Sequence, residues 1–285
     1  MATITQQLNQ LQQDKQNLTT KLSEKGVEVT GNETFTQLIP KLDEIQSEKF
    51  APFYITFREY KGTENFNNFE GLDTSKIRDM SSMFYNANDV KEIIIDSFDT
   101  SNVESLRAFC QGCTSLVKLI LKNFDTSKVQ NLSHFVVNDS KLEEIDLSSF
   151  NTAETTNFQS MFFGCSKLVN LDLGHFDMSK ANVVDGFLYR NSALKNLKFP
   201  INFGKGFIQK TTNYSSYTSD LSGLNSLTYE SIMSVVNNIY DLNLTYDVAN
   251  GGTLYTQSLR LGTTNKAKLT AEEIAIATSK GWTVS

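Results

Sequence analysis

Residues 97–103 read SFDTSNV, and the phrase returns as NFDTSKV at 123–129, as SFNTAET at 149–155 and, altered, as HFDMSKA at 175–181. An earlier copy sits in LDTSKI at 72–77, so Asp73, Asp99, Asp125, Asn151 and Asp177 mark a constant interval of 26 residues. A fixed period of this length signals a solenoid: one unit cannot bury its own face, and stacked neighbours supply the core.

Counting each marker as offset 0, offset 7 holds Met80, Leu106, Leu132, Phe158 and Val184, and offset 10 holds Met83, Phe109, Phe135, Met161 and Phe187. Offset 20 holds Ile93, Leu119, Ile145, Leu171 and Leu197, offset 22 holds Ile95, Leu121, Leu147, Leu173 and Phe199, and offset 25 is Phe98, Phe124, Phe150 and Phe176 before it lapses at Asn202. The apolar spacing 4, 7, 10, 11, 14 has the period of a helix, and 20, 22 that of a strand. Each unit is therefore expected to be a short helix plus a short strand. The strand stretch LVKLILKNF at 116–124 fits a leucine-rich repeat template. In FDTS the Asp, Thr and Ser side chains are expected to form Asx or Ser/Thr turns and to cap the following helix, with Ser101 and Glu104 as a capping box.

Around this array the chain divides further. In residues 1–25, Ile4, Leu8, Leu11, Lys15, Leu18 and Leu22 form a three-heptad seam, a coiled-coil helix that needs a partner. Residues 26–48 read as a connector and a short helix with Phe35, Leu38, Ile39, Leu42 and Ile45 on one face, and 49–72 as an N-terminal cap with a strand in FYITFREY at 53–60. The repeats fill 73–202. Residues 203–285 read as a C-terminal capping module: a helix after Thr228, strand structure in TLYTQSLRLG at 253–262, a helix boxed by Thr270 and Glu273, and a last strand in WTVS. The expected class is α/β, a solenoid of five 26-residue repeats with a parallel strand ladder.

Composition removes several functions. Lys plus Arg number 26 against 32 Asp plus Glu, a net charge of −6, which argues against a surface that tracks nucleic-acid phosphates. No apolar run approaches the roughly 18 residues of a membrane-spanning helix, so no membrane insertion is expected. The start MATITQQLNQLQQDK lacks a basic segment followed by an apolar one, which points to assembly in a cytoplasm. The CxxC of Cys110 and Cys113 has no second half to complete a zinc site. Cys113 and Cys165 share offset 14, a core slot, two coils or about 9.6 Å apart and beyond disulfide reach, so Cys110, Cys113 and Cys165 are expected as free thiols. His134 and His175 fall at different offsets, and no phosphate loop, dinucleotide fingerprint or HExxH is present. Neither enzyme activity, metal nor cofactor is expected.

A surface is the better candidate. On strands facing solvent, offset 19 displays Glu92, Lys118, Glu144 and Asn170, and offset 21 displays Ile94, Ile120, Asp146 and Asp172. Asp146 beside Asp172 places like charges on adjacent rungs, which reads either as a solvated acidic face or as a site compensated by a cation, glycan hydroxyls or a basic partner.

The stretch IDLSSFNTAETTNFQSMFFGCSKLVNLDLGHFD at 145–177 resembles the BspA-type leucine-rich repeats of bacterial surface proteins. LTYESIMSVVNN at 227–238 and LTAEEIAIATSKGWTVS at 269–285 are similar to the closing module that accompanies such repeats in phage-encoded proteins and in low-GC Gram-positive bacteria. KGVEVTGNETFTQLIPKLDEI at 25–45 resembles the opening segment of phage tail or fibre components. These resemblances imply a non-enzymatic virion structural protein, a fibre or a baseplate or head appendage. Its N-terminal helix would form a homotrimer and dock on other virion proteins, and its repeats would bind a host cell-surface protein or glycan. The alternative is a bacterial BspA-like surface adhesin or protein-interaction module.

Overall fold

The computed structural model describes residue 16, residues 57–60, 74–206, 218–242 and 257–285. The seam positions Ile4, Leu8, Leu11, Lys15, Leu18 and Leu22 and the expected helix in 26–48 lie outside the described residues; Gln16 is helical and exposed.

Strands β1 (Glu92–Ile95), β2 (Lys118–Leu121) and β3 (Glu144–Asp146) pair in parallel in chain order, and β4 (Asn170–Asp172) pairs with β5 (Asn196–Lys198). The registers Ile93↔Leu119↔Ile145 and Leu171↔Leu197 advance by the sequence period, so like offsets stack on like. A second line of parallel bridges joins Asp79, Ser105, Asn131, Asn157 and Val183. The chain is thus a repeat-like α/β structure with short parallel ladders. Its core is the interior of the stacked coils, and Phe98, Phe124, Phe150 and Phe176 run through it with ring centroids 6.2 to 6.3 Å apart.

The expected helix in each unit is not there. Between offsets 7 and 13 the chain forms successive turns, and alternate amides leave the segment for the next coil. Met80, Ser82, Phe84 and Asn86 N–H donate to the carbonyls of Ser105, Arg107, Phe109 and Gln111, and the pattern repeats down to Gly164 N–H on Tyr189. Every second amide is therefore spent between coils and cannot close an i→i−4 helical ring. The backbone allows this by entering the left-handed region twice per coil: at Ser82, Ala108, His134, Ser160 and Gly186, and again at Asn86, Gly112, Asn138, Gly164 and Arg190. All these amides point towards the C-terminus; in the last coil those of Val184, Gly186, Leu188 and Arg190 meet no acceptor among the described residues. With no helix at Ser101, the capping box expected there does not form.

FDTS turns the corner and ties the coils together. Asp99, Asp125, Asn151 and Asp177 each accept through Oδ1 from the amide two residues on, at 2.9 to 3.1 Å, as Asx turns. The buried hydroxyls of Thr74, Thr100, Thr126 and Thr152 donate to the backbone carbonyls of Asp99, Asp125, Asn151 and Asp177 in the following coil, at 2.8 to 3.0 Å. Met178 ends this row.

The strand expected at 53–60 is also corrected for its described part. Phe57–Tyr60 turn, with Glu59 at φ 57°, and the amides of Phe57 and Glu59 donate to Met83 and Tyr85 carbonyls. Phe57 stacks on Phe84 at 5.3 Å.

Towards the C-terminus, β6 (Thr218–Asp220), β7 (Gln257–Arg260) and β8 (Trp282–Val284) form a parallel sheet in that order. Helix α1 (Tyr229–Asn238) starts at Thr228, whose side chain accepts from Ser231 N–H. It lies along β5 and satisfies that strand's open edge. Ser231 Oγ accepts from Leu197 N–H and donates to Lys195 O, Ser234 Oγ accepts from Phe199 N–H, and Asn238 Nδ2 donates to Phe199 O. After α2 (Gly262–Lys266), α3 (Ala271–Ser279) opens with the expected Thr270–Glu273 capping box.

Candidate binding face

The outward offsets of β1 to β5 form two rows. In the first, Glu92, Lys118 and Glu144 are in register, with Lys118 Nζ 2.8 Å from Glu144 Oε2, and Asn196 Nδ2 donates to Asn170 Oδ1 at 2.6 Å. In the second, Ile94, Ile120 and Asp146 are in register, and Asp172 faces Lys198 across a 2.6 Å ion pair. Ile120 is only 6 % exposed, so it forms part of the floor, while Glu144, Asn170 and Asp172 stand exposed.

The sheet divides between β3, which carries Asp146, and β4, which carries Asp172, so these two carboxylates are not on paired rungs. Each carboxylate has its own compensation within the chain. Asp146 Oδ1 accepts from Ser148 N–H at 3.0 Å, and the Ser148 side chain and amide, with Lys122 and His175 nearby, hold its carboxyl below the usual range. Partial burial pushes Asp172 upward, but Lys198 and the Gly174 amide outweigh it and hold this carboxyl low as well. The charges of the face are thus largely satisfied by neighbouring rungs, and what a ligand would meet is shape and the remaining hydrogen-bonding capacity.

The shape is a groove of about 410 Å³ where β4 and β5 meet the first turns of α1. Asn170, Asp172, Asn196 and Lys198 form one wall and Thr228 and Glu230 the other. Volumes of a few hundred Å³ are typical of ligand sites. Glu230 is the residue that sequence reasoning did not reach, because nothing in the local pattern shows α1 lying against β5. Among the described residues no three His, Cys, Asp or Glu side chains are placed to hold a metal ion, and no helix is long and apolar enough to cross a membrane. All three cysteines are free and buried. Burial pushes the Cys110 and Cys165 thiols well above their ordinary value, the opposite of what a nucleophile needs. His134 is pushed down by partial burial and by Arg107, and His175 Nε2 lies 3.0 Å from Leu147 O, so neither is poised on a shared reaction centre.

A ladder that displays paired polar rungs on one face and a groove at its end defines a repeat-built scaffold. Its sequence matches the family described as Mycoplasma protein of unknown function, DUF285, over residues 52–120 and 80–202. These matches overlap and together span more than half of the chain, which therefore belongs to that family, a relative of the BspA-like repeat proteins. No curated protein and no solved structure matches the chain.

Proposed function

We propose that this chain is a non-enzymatic attachment protein of a phage virion, a fibre or an appendage of the baseplate or head, whose strand face meets a host cell-surface protein or glycan. The observation that carries the binding role is the groove of about 410 Å³ at the end of a face built from regularly spaced polar rungs. In this reading residues 73–202 are a five-repeat leucine-rich solenoid, 203–285 close its C-terminal end, and 1–25 gather the chains into a homotrimer on other virion proteins. Weak single-module binding would then be multiplied by avidity. The virion assignment is supported by the resemblance of residues 25–45 and of the C-terminal helices to phage proteins.

Two measurements test it. The chain should be detected on purified particles, and full-length protein should bind host cells in a manner lost on Asn170→Ala with Asn196→Ala. Absence from particles ends the virion reading, and undiminished cell binding by the variant ends the assignment of the groove. The second reading, a bacterial adhesin or protein-interaction module, is favoured by the Mycoplasma description of the family. It requires the chain to fractionate with the cell envelope, without particles.

A further inference from the structure

The side chain at offset 14 turns into the core in every coil, as Ala87, Cys113, Asp139, Cys165 and Asn191, all fully buried. Three of them make the same backward bond. Cys113 Sγ–H donates to Phe84 O at 2.9 Å, Cys165 Sγ–H to Val136 O at 2.9 Å, and Asn191 Nδ2–H to Phe162 O at 2.7 Å. In each case the acceptor lies at offset 11 of the coil before, so the slot is built for a donor.

Asp139 occupies that slot, and the equivalent acceptor one coil back is the Cys110 carbonyl. A carboxylate has no proton to give. Its Oδ1 accepts from Cys113 N–H at 2.7 Å, whereas Oδ2 is buried without a partner. The titratable groups around it are the Cys110 and Cys113 thiols of the coil before and the Cys165 thiol of the coil after. No Lys, Arg or His is among the fully buried described residues. An ionised carboxylate here would bear its desolvation cost with only the Cys113 amide and, more weakly, the Gly112 amide as compensation.

We propose that Asp139 is held in the fold as a neutral carboxylic acid that donates its Oδ2–H to the Cys110 carbonyl, so that rising pH loosens the stack at this coil. Burial, followed by the Cys113 thiol, pushes the Asp139 carboxyl well above the usual range, in agreement with the geometry. A proton bound more tightly in the folded than in the unfolded chain stabilises fully below the unfolded value, near pH 4. That stabilisation is lost as pH rises towards the folded value.

Asp139→Asn is the test, because an amide can accept from Cys113 N–H and donate as Asn191 does. Urea unfolding of the full chain is followed between pH 5 and 8, below the ordinary range of thiols. The folding constant of D139N relative to the native chain is expected to rise by up to about ten-fold per pH unit. Parallel pH dependences would overturn the proposal. Should D139N fail to fold, infrared spectroscopy of the native chain at pH 7 decides: a protonated-carboxyl stretch supports it, and absence of that band overturns it.

Discussion

Replacing Phe124 with Ala probes whether the stacked rings act as one rigid column. Phe124 is 1 % exposed, lies between Phe98 and Phe150 at 6.3 Å on either side, and meets the edge of Phe109 at 6.3 Å. Removing a buried ring costs about 3–5 kcal/mol, depending on how far the surroundings collapse. Here the flanking rings are fixed by their own coils, whose Thr100 and Thr126 rungs set the spacing, so little collapse is open to them. The expected loss is about 4 kcal/mol, against about 1–1.5 kcal/mol for Phe124→Leu, which keeps most of the volume. With a urea m-value of about 3 kcal/mol/M the midpoint falls by about 1.3 M for Ala and about 0.4 M for Leu. Circular dichroism follows the ladder. Fluorescence of Trp282, the single tryptophan, follows the C-terminal sheet, where its Nε1 donates to Tyr240 O and its ring packs near Phe203. If Ala and Leu shifted the midpoint equally, the rings would be filling space independently and the rigid-column argument would be wrong.

Thr126→Val removes a hydroxyl that donates to Asn151 O at 2.8 Å and accepts from Asn151 N–H at 2.7 Å. It should cost about 2 kcal/mol by urea unfolding, more than Thr100→Val, for which a single such bond is lost. Gly112→Ala brings a Cβ to 2.2 Å from Asn86 Oδ1 at φ +81°, so about 1–2 kcal/mol of strain is expected; the double variant with Asn86→Gly should recover the clash but not the backbone part. Asp125, Asp146 and Asp172 carry lowered carboxyl values, so their stabilisation is present above about pH 4 and is lost as pH falls further. Lys198→Ala should shallow that acid limb in a pH titration of the melting temperature, and an unchanged limb would remove Asp172 from it.

The strand half of each coil was legible because offsets 20 and 22 carry a period of two that only a strand explains, and the pairings of β1 with β2, β2 with β3 and β4 with β5 keep that register. The other half was misread for a physical reason. Spacings of three and four residues also arise when a chain turns repeatedly around a core, and periodicity alone does not separate the two. The distinguishing signal was present at offset 13, where Asn86, Gly112, Asn138 and Gly164 are the residue types that tolerate a left-handed backbone. Ser82, Ala108, His134 and Ser160 at offset 9 gave no such warning, since stacking imposes their conformation from outside. The groove was only half legible: the strand wall follows from the repeat, whereas Glu230 reaches the site through the docking of α1 on β5.

The alternation at offset 13 has a bearing on how such a scaffold can change length. A methyl on Gly112 would strike Asn86, and one on Gly164 would lie 2.8 Å from Asn138 Oδ1, so each asparagine occupies the room its successor leaves open. Cysteine at offset 14 keeps the same rhythm, present in Cys113 and Cys165 and replaced in the coil between. The backbone, the phenylalanine column and the threonine rungs repeat with every coil, but the complementarity of Asn with Gly at offset 13 repeats with every second one. Duplicating or deleting a single coil would set Asn on Asn or Gly on Gly, whereas a pair of coils can be added with both joints intact. Reach would then be gained in steps of about 9.6 Å, two rungs at a time.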